Sequence, residues 1–204
     1  MTLKFYTNPM SRGQIARWAL HEAGADYDQM LLEYDSTMKA AAYLAVNPMG
    51  KVPAIDHDGK IVTEGAAICA YLADAFPDAG LAPTADERAD YYRWLFFAAG
   101  PLESAITNRS MGFEVEPDKE KTVGYGNYDQ VVDALDSKFQ TDDYVCGARV
   151  TMADVYVGAQ LIWGTQFGTL PGRDSFLAYA KRLTDRDAYK SAKAVDDGLI
   201  AAIG

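Results

Sequence analysis

The stretch KFYTNPMSRGQIARWAL, residues 4–20, joins a short β-friendly segment to a helical one. LKFY alternates. GQIARWALHEAG follows with Ile15, Trp18, Ala19 and Ala23 at helical spacing and Gly24 as a C-terminal stop. Between them lies Thr7-Asn8-Pro9-Met10-Ser11-Arg12-Gly13, rich in turn residues and hydroxyls. A strand-to-helix junction of this kind aims backbone N–H groups at whatever occupies the space above it.

Two further stretches carry chemistry. In NPMGKVPAI, residues 47–55, a proline at a strand entry removes a ladder donor. A cis Val52–Pro53 bond would turn the chain sharply and leave the Val52 N–H and C=O open to a ligand, as an added strand would use them. An ordinary trans edge-strand proline is the alternative. In TEGAAICAYLAD, Glu64-Gly65 ends a hairpin and opens a helix. The N–H groups of Gly65 and Ala66 can cradle a carboxylate, while Glu64 can accept from an ammonium group beside it. Otherwise Glu64 merely complements the helix dipole.

The elements that must position these residues read as β-α-β-α-β-β-α within the first 80 or so residues. DYDQMLLEY, residues 26–34, is a second strand, STMKAAAYLAVNP a short helical segment, and VPAI and KIVTE a hairpin around Asp58-Gly59. PDAGLAPTADE, residues 77–87, reads as a linker. Beyond it the segments ADERADYYRWLFFAAGPLESAI, EKTVGYGNYDQVVDALDSKF, TMADVYVGAQLIWG, SFLAYAKRL and AYKSAKAVDDGLIAA all have helical character. The expectation is a mixed α/β domain over 1–78 and an all-helical domain over 86–204. Thr151 and Asp154 form an N-terminal capping box, a folding element.

The chain of 204 residues is 49% apolar, enough for a sizeable core, and its net charge of −10 argues against sequence-independent nucleic-acid binding. Cys69 and Cys146 lie in apolar runs without CxxC pairing and read as reduced thiols, and two histidines make a histidine-rich metal site unexpected. No leader or membrane-length apolar run is seen, so a cytoplasmic protein is expected.

NPMGKVPAI, then TEGAAICAYLAD, then a helical half containing GARVTMADVYVGAQL resembles the cytosolic glutathione transferases, in the right order over nearly the whole chain. The resemblance implies a thioredoxin-like N-terminal domain, an all-helical C-terminal domain, a homodimer, and glutathione as co-substrate with no metal. By position it makes Val52 the backbone partner of the glutathione cysteine, Pro53 the family's cis-proline, and Glu64 and Gly65 the γ-glutamyl site. Gly65 stands where the family usually has serine, which keeps the N–H and loses a hydroxyl. Lys39 and Lys51 are candidates for the glycyl carboxylate, with a solvated surface role as the alternative for Lys39.

The nucleophile would be the glutathione thiol, which a hydroxyl donor and a helix start can help to ionise. Against theta- and zeta-like members the register points to Ser11. Against beta-class members, which carry cysteine there, it points nearer Arg12. Tyr6 is similar to the tyrosine of other classes. A helix cap for Ser11, a core position for Tyr6 and a surface or ion-pair role for Arg12 are the bland readings. Tyr92 and Phe96, with Trp94 and Phe97 between and beside them, are candidates for lining a cleft for a small hydrophobic electrophile, or for core. The implied activity is glutathione transfer. Glutathione-dependent peroxide or disulfide reduction, or a non-catalytic glutathione-binding scaffold, are the alternatives.

Overall fold

The computed structural model describes residues 2–203. Strand β1 (Leu3–Thr7) turns Leu3, Phe5 and Thr7 inward, as its alternation predicts. It pairs in parallel with β2 (Asp28–Leu31) and antiparallel with β3 (Ala54–His57). The hairpin partner of β3 is β4 (Lys60–Thr63), which completes a mixed sheet in the order β2-β1-β3-β4. Asp58 and Gly59 both take positive φ (51° and 84°), the backbone a two-residue hairpin requires. Helices α1 (Gly13–Glu22), α2 (Ala41–Leu44) and α3 (Gly65–Ala75) fill the connections. Phe5, Ile15, Leu20, Ile55, Ile68 and Leu72 form the core between sheet and helices. This is the thioredoxin-like domain expected of the first part of the chain.

The rest of the chain is helical: α4 (Arg88–Phe97), α5 (Glu103–Ser110), α6 (Tyr128–Thr141), α7 (Met152–Phe167), α8 (Asp174–Thr184) and α9 (Asp187–Ile203). Between α4 and α5 a π turn, Ala98–Leu102, accommodates Pro101, whose missing N–H rules out a normal helical bond there. Helix α6 starts later than the periodicity of EKTVGYGNYDQ suggests. Gly126 takes φ +66°, and the Asn127 side chain then caps the helix by accepting from the Gln130 N–H at 2.9 Å. Helix α7 is buried from Met152 through Ile162. Its capping box is formed: the Thr151 N–H donates to Asp154 Oδ2 at 2.8 Å. Asp154 Oδ1 also accepts from the Val145 N–H (2.7 Å) and the Tyr179 hydroxyl (2.8 Å), so one buried carboxylate ties three segments together.

The chain divides into one unit of Met1–Ala82 with Asp185–Gly204 and a second of Pro83–Thr184. The sequence pattern groups everything after residue 86 together, whereas in the structure α9 packs on α1 within the first unit. The reason is charge. Arg17, in the middle of α1, is fully buried, and its Nε lies 2.9 Å from Asp196 Oδ1 on α9, itself 1% exposed. The N–H is not directed at the oxygen, so the contact is a charge pair without a hydrogen bond. Arg17 also donates to the Tyr27 hydroxyl (2.9 Å) and lies over the Phe5 ring at 5.2 Å. A second pair, Arg186 to Glu22, is bidentate at 2.6 and 2.5 Å. His21 bridges Ser191 (2.7 Å) and Tyr27 (3.3 Å), and burial followed by the Arg17 charge lowers its pKa.

Removing one partner of a buried pair leaves the other charge stranded. Asp196→Ala should therefore cost about 3–5 kcal/mol in urea unfolding at neutral pH, while Arg17→Met with Asp196→Leu should cost far less. Burial, against the pull of Arg17, raises the Asp196 pKa from 3.8 to about 6. Between those values the native chain keeps a proton that the unfolded chain has released. This group thus lowers stability as pH rises through that window, and Asp196→Asn should remove that slope.

Candidate functional site

The sheet register brings the chemistry-bearing segments to one end. The β1 and β2 strands run parallel and finish there at Thr7 and Leu31, while the antiparallel pairs Tyr6↔Ala54 and Ala54↔Thr63 bring the start of β3 and the end of β4 alongside. The junction Thr7–Gly13, the Val52–Pro53 bond and the Glu64-Gly65 step are thereby neighbours. The Val52–Pro53 peptide is cis.

The first junction is bound up with itself more than its sequence suggests. The Met10 N–H donates to Asn8 Oδ1 (2.9 Å), the Gly13 N–H to Ser11 Oγ (2.9 Å), and the Gln14 N–H to the Ser11 carbonyl (3.2 Å). Ser11 Oγ in turn gives its proton to the Asn8 carbonyl at 2.6 Å. Ser11 Oγ thus ties together the turn that leads into α1, and its hydroxyl must leave that carbonyl to donate to a ligand. Asn8, only 6% exposed, anchors the loop by donating to the Leu32 carbonyl at 2.8 Å. Thr7 Oγ1 is fully buried without a partner, and a Cβ on Gly13 would stand 2.0 Å from it. Glycine is required there by close approach.

The second helix start differs. Glu64 takes φ +65°, uncommon for a side chain other than glycine, and no side chain caps α3. The first ladder bond runs from the Ile68 N–H to the Glu64 carbonyl (2.9 Å), so the N–H groups of Gly65, Ala66 and Ala67 precede the ladder and point out of the helix start. With Glu64 exposed beside them, these donors suit a carboxylate and the acceptor suits an ammonium group.

The loop before Val52 is held from behind. The Tyr43 hydroxyl (2.6 Å) and the Asn47 Nδ2 (2.7 Å) both donate to the Lys51 carbonyl. Burial pushes the Tyr43 phenol up to about 12, which keeps it a donor. Lys39 Nζ donates to the Gly50 carbonyl at 2.7 Å. Val52 and Tyr6 pack against the buried cluster of Met38, Tyr43 and Ala54.

Residues 1–74 match the family described as "Glutathione S-transferase, N-terminal domain". The glutathione S-transferase GstA of Escherichia coli O157:H7 is 28% identical over 93% of this chain and 96% of its own. A glutathione transferase from Methylococcus capsulatus superposes with a TM-score of 0.78 at 27% identity, covering 96% of this chain and 99% of the other. A sphingomonad glutathione S-transferase, solved in complex with glutathione, does so with 0.76 at 27% identity over 95% and 98%. Residues 1–74 thus match the glutathione S-transferase N-terminal domain, and nearly the whole chain is similar to glutathione transferases.

In the structure the positions singled out from sequence separate into three groups. Ser11, Arg12, Lys39, Lys51, Val52, Pro53, Glu64 and Gly65 gather at or beside one end of the sheet. Tyr6 stands at the same end but is engaged in packing, its ring 5.4 Å from that of Tyr43. Tyr92 and Phe96 belong to the second unit, where both are exposed and form an outward i, i+4 pair with ring centroids 6.5 Å apart, whereas Trp94 is core. Sequence reasoning passed over Tyr43 and Asn47. The only signal for Asn47 was its place before Pro, where, as at Asn8, an Asn side chain can bond the backbone two residues on. Among the described residues no His, Cys, Asp and Glu cluster is placed to hold a metal, and no helix is long and apolar enough to cross a membrane.

The Thr7–Gly13 approach sets a test of the junction. Gly13→Ala should destabilise the protein by about 1–3 kcal/mol through overpacking. Adding Thr7→Ala, which removes the hydroxyl nearest the new methyl, should recover part of that loss in thermal unfolding.

Proposed function

We propose that this transferase binds glutathione at the end of the sheet and activates its thiol for attack on a small hydrophobic electrophile. The observation that carries the reading is the uncapped start of α3, with Glu64 beside it, standing next to the Val52–Pro53 step. In this reading the γ-glutamyl carboxylate takes the Gly65 and Ala66 N–H groups, its ammonium group meets Glu64, and the Val52 backbone pairs with the cysteinyl residue. Gly65, in the place of the family's usual serine, supplies its N–H without a hydroxyl. Lys39 or Lys51 meets the glycyl carboxylate, Lys39 by leaving the Gly50 carbonyl.

The cysteinyl sulfur then lies at the first junction. An ordinary thiol ionises near 8.5, and each unit of depression corresponds to about 1.4 kcal/mol. Ser11 provides this by exchanging the Asn8 carbonyl for the sulfur, with Arg12 and Tyr6 as the competing groups. The thiolate attacks the electrophile and a carbon–sulfur bond forms as the leaving group departs. Cys69, fully buried with its pKa raised, and Cys146, raised to about 11, are poorly suited to act as nucleophiles themselves. Residues 1–78 carry the glutathione site in this reading, and 86–204 supply the electrophile cleft through Tyr92 and Phe96, in a cytoplasmic homodimer.

Calorimetry with millimolar glutathione should show saturable binding, and its absence would end the reading. Ser11→Ala should raise the apparent pKa of the bound thiol by about one unit in the pH–rate profile with an aryl halide. An unchanged profile would transfer the role to Arg12 or Tyr6. Faster turnover of a hydroperoxide or mixed disulfide than of aryl halides would favour reduction over transfer.

A further inference from the structure

Thr7 ends β1 and is fully buried, its carbonyl taken by the Leu32 N–H at 2.9 Å. Its hydroxyl, by contrast, has no hydrogen-bond partner among the described residues. A buried hydroxyl left unpaired costs free energy, and native proteins rarely keep one without a use for it.

Gly13 shows where that hydroxyl stands. From the place a Gly13 Cβ would take, Thr7 Oγ1 is 2.0 Å away and Ser11 Oγ 2.9 Å, so the two hydroxyls converge on the bare side of the glycine. Ser11 Oγ has bonding capacity to spare. A hydroxyl oxygen carries one proton and two lone pairs. Here the proton goes to the Asn8 carbonyl and one lone pair takes the Gly13 N–H. An oxygen with an acceptor site left over and a buried donor without an acceptor thus share one corner.

We propose that Thr7 is a positioning residue for the thiol, acting through Ser11. When Ser11 turns its proton from the Asn8 carbonyl to the cysteinyl sulfur, the Thr7 hydroxyl donates to Ser11 Oγ and holds it in that orientation. A hydroxyl that accepts a hydrogen bond also donates a stronger one, so the chain from Thr7 through Ser11 to sulfur favours the thiolate. Each hydroxyl keeps its own proton throughout. Gly13 is then needed for a second reason, since a side chain there would stand between the two oxygens. This role rests on the glutathione reading of the sheet end and adds to it a residue that does not touch the peptide.

Thr7→Val and Thr7→Ala both remove the hydroxyl, one filling its space and the other emptying it. Each should raise the apparent thiol pKa in the pH–rate profile with an aryl halide by about half a unit, equivalent to about threefold less thiolate at low pH. Thr7→Ser keeps the hydroxyl and should hold the profile near that of the unaltered protein. In a Ser11→Ala background Thr7→Val should add no further shift, because the oxygen it serves is gone. A profile unmoved in either Thr7→Val or Thr7→Ala overturns the role. So does an equal shift in the Ser11→Ala background, or a Thr7→Ser protein that behaves like Thr7→Ala, either of which assigns the effect to packing. Saturable glutathione binding by the unaltered protein in calorimetry keeps such a failure distinct from that of the glutathione reading, which absent binding would end together with this role.

Discussion

Everything packed on α1 answers to one fully buried guanidinium. A charge without water around it must be neutralised or the helix cannot stay where it is. Asp196 supplies the countercharge, Tyr27 an acceptor and Phe5 a π face, so a strand, a loop and α9 all meet at Arg17. The same helix begins at Gly13, pressed against Thr7, and presents the Ser11 junction at its N-terminus. The position of the Ser11 junction is therefore anchored from the far side of the helix. An apolar residue at position 17 would pack without needing α9. Arginine makes the helix's seat depend on a particular partner, at a cost in stability that well-matched apolar side chains would avoid.

The two helix starts at the sheet end divide their labour in a way that follows from local chemistry. At α1, Ser11 and Asn8 consume donors within the loop, which fixes its shape. At α3, a glycine and two alanines leave the donors unclaimed and Glu64 stands at an uncommon φ. One junction is closed on its own hydrogen bonds, the other open and strained. Strain of that kind persists only where surrounding structure over-determines it. Here β4 leads directly into it from the sheet.

Much of the first unit was legible because its signals are local. LKFY alternates, Asp58-Gly59 demands a two-residue hairpin, and Ile15, Trp18 and Ala19 repeat at helical spacing. The capping box at Thr151 could be read from two residues three apart. The site segments were legible for the same reason, as short motifs, but their internal bonding was not. Nothing in SRG says that the serine proton goes to Asn8. Nor did the pattern of YYRWLFF say which aromatics face outward, since helical spacing alone leaves the buried side open. The docking of α9 was missed for a related cause. Arg17 and Asp196 each look like a charged residue in an amphipathic helix, and only their meeting, far apart in sequence, makes them a pair.

The first unit is thus discontinuous, with the second unit spliced between its body and its final helix. During synthesis the sheet and α1 emerge well before α9, separated from it by roughly a hundred residues of intervening chain. Until α9 arrives, the Arg17 side of α1 has neither its counterion nor its cover. The nascent domain can form its strands early, but its completion waits on a long-range contact of the kind that slows folding. A helix at the end of the chain thereby sets when the Ser11 junction first acquires its native footing.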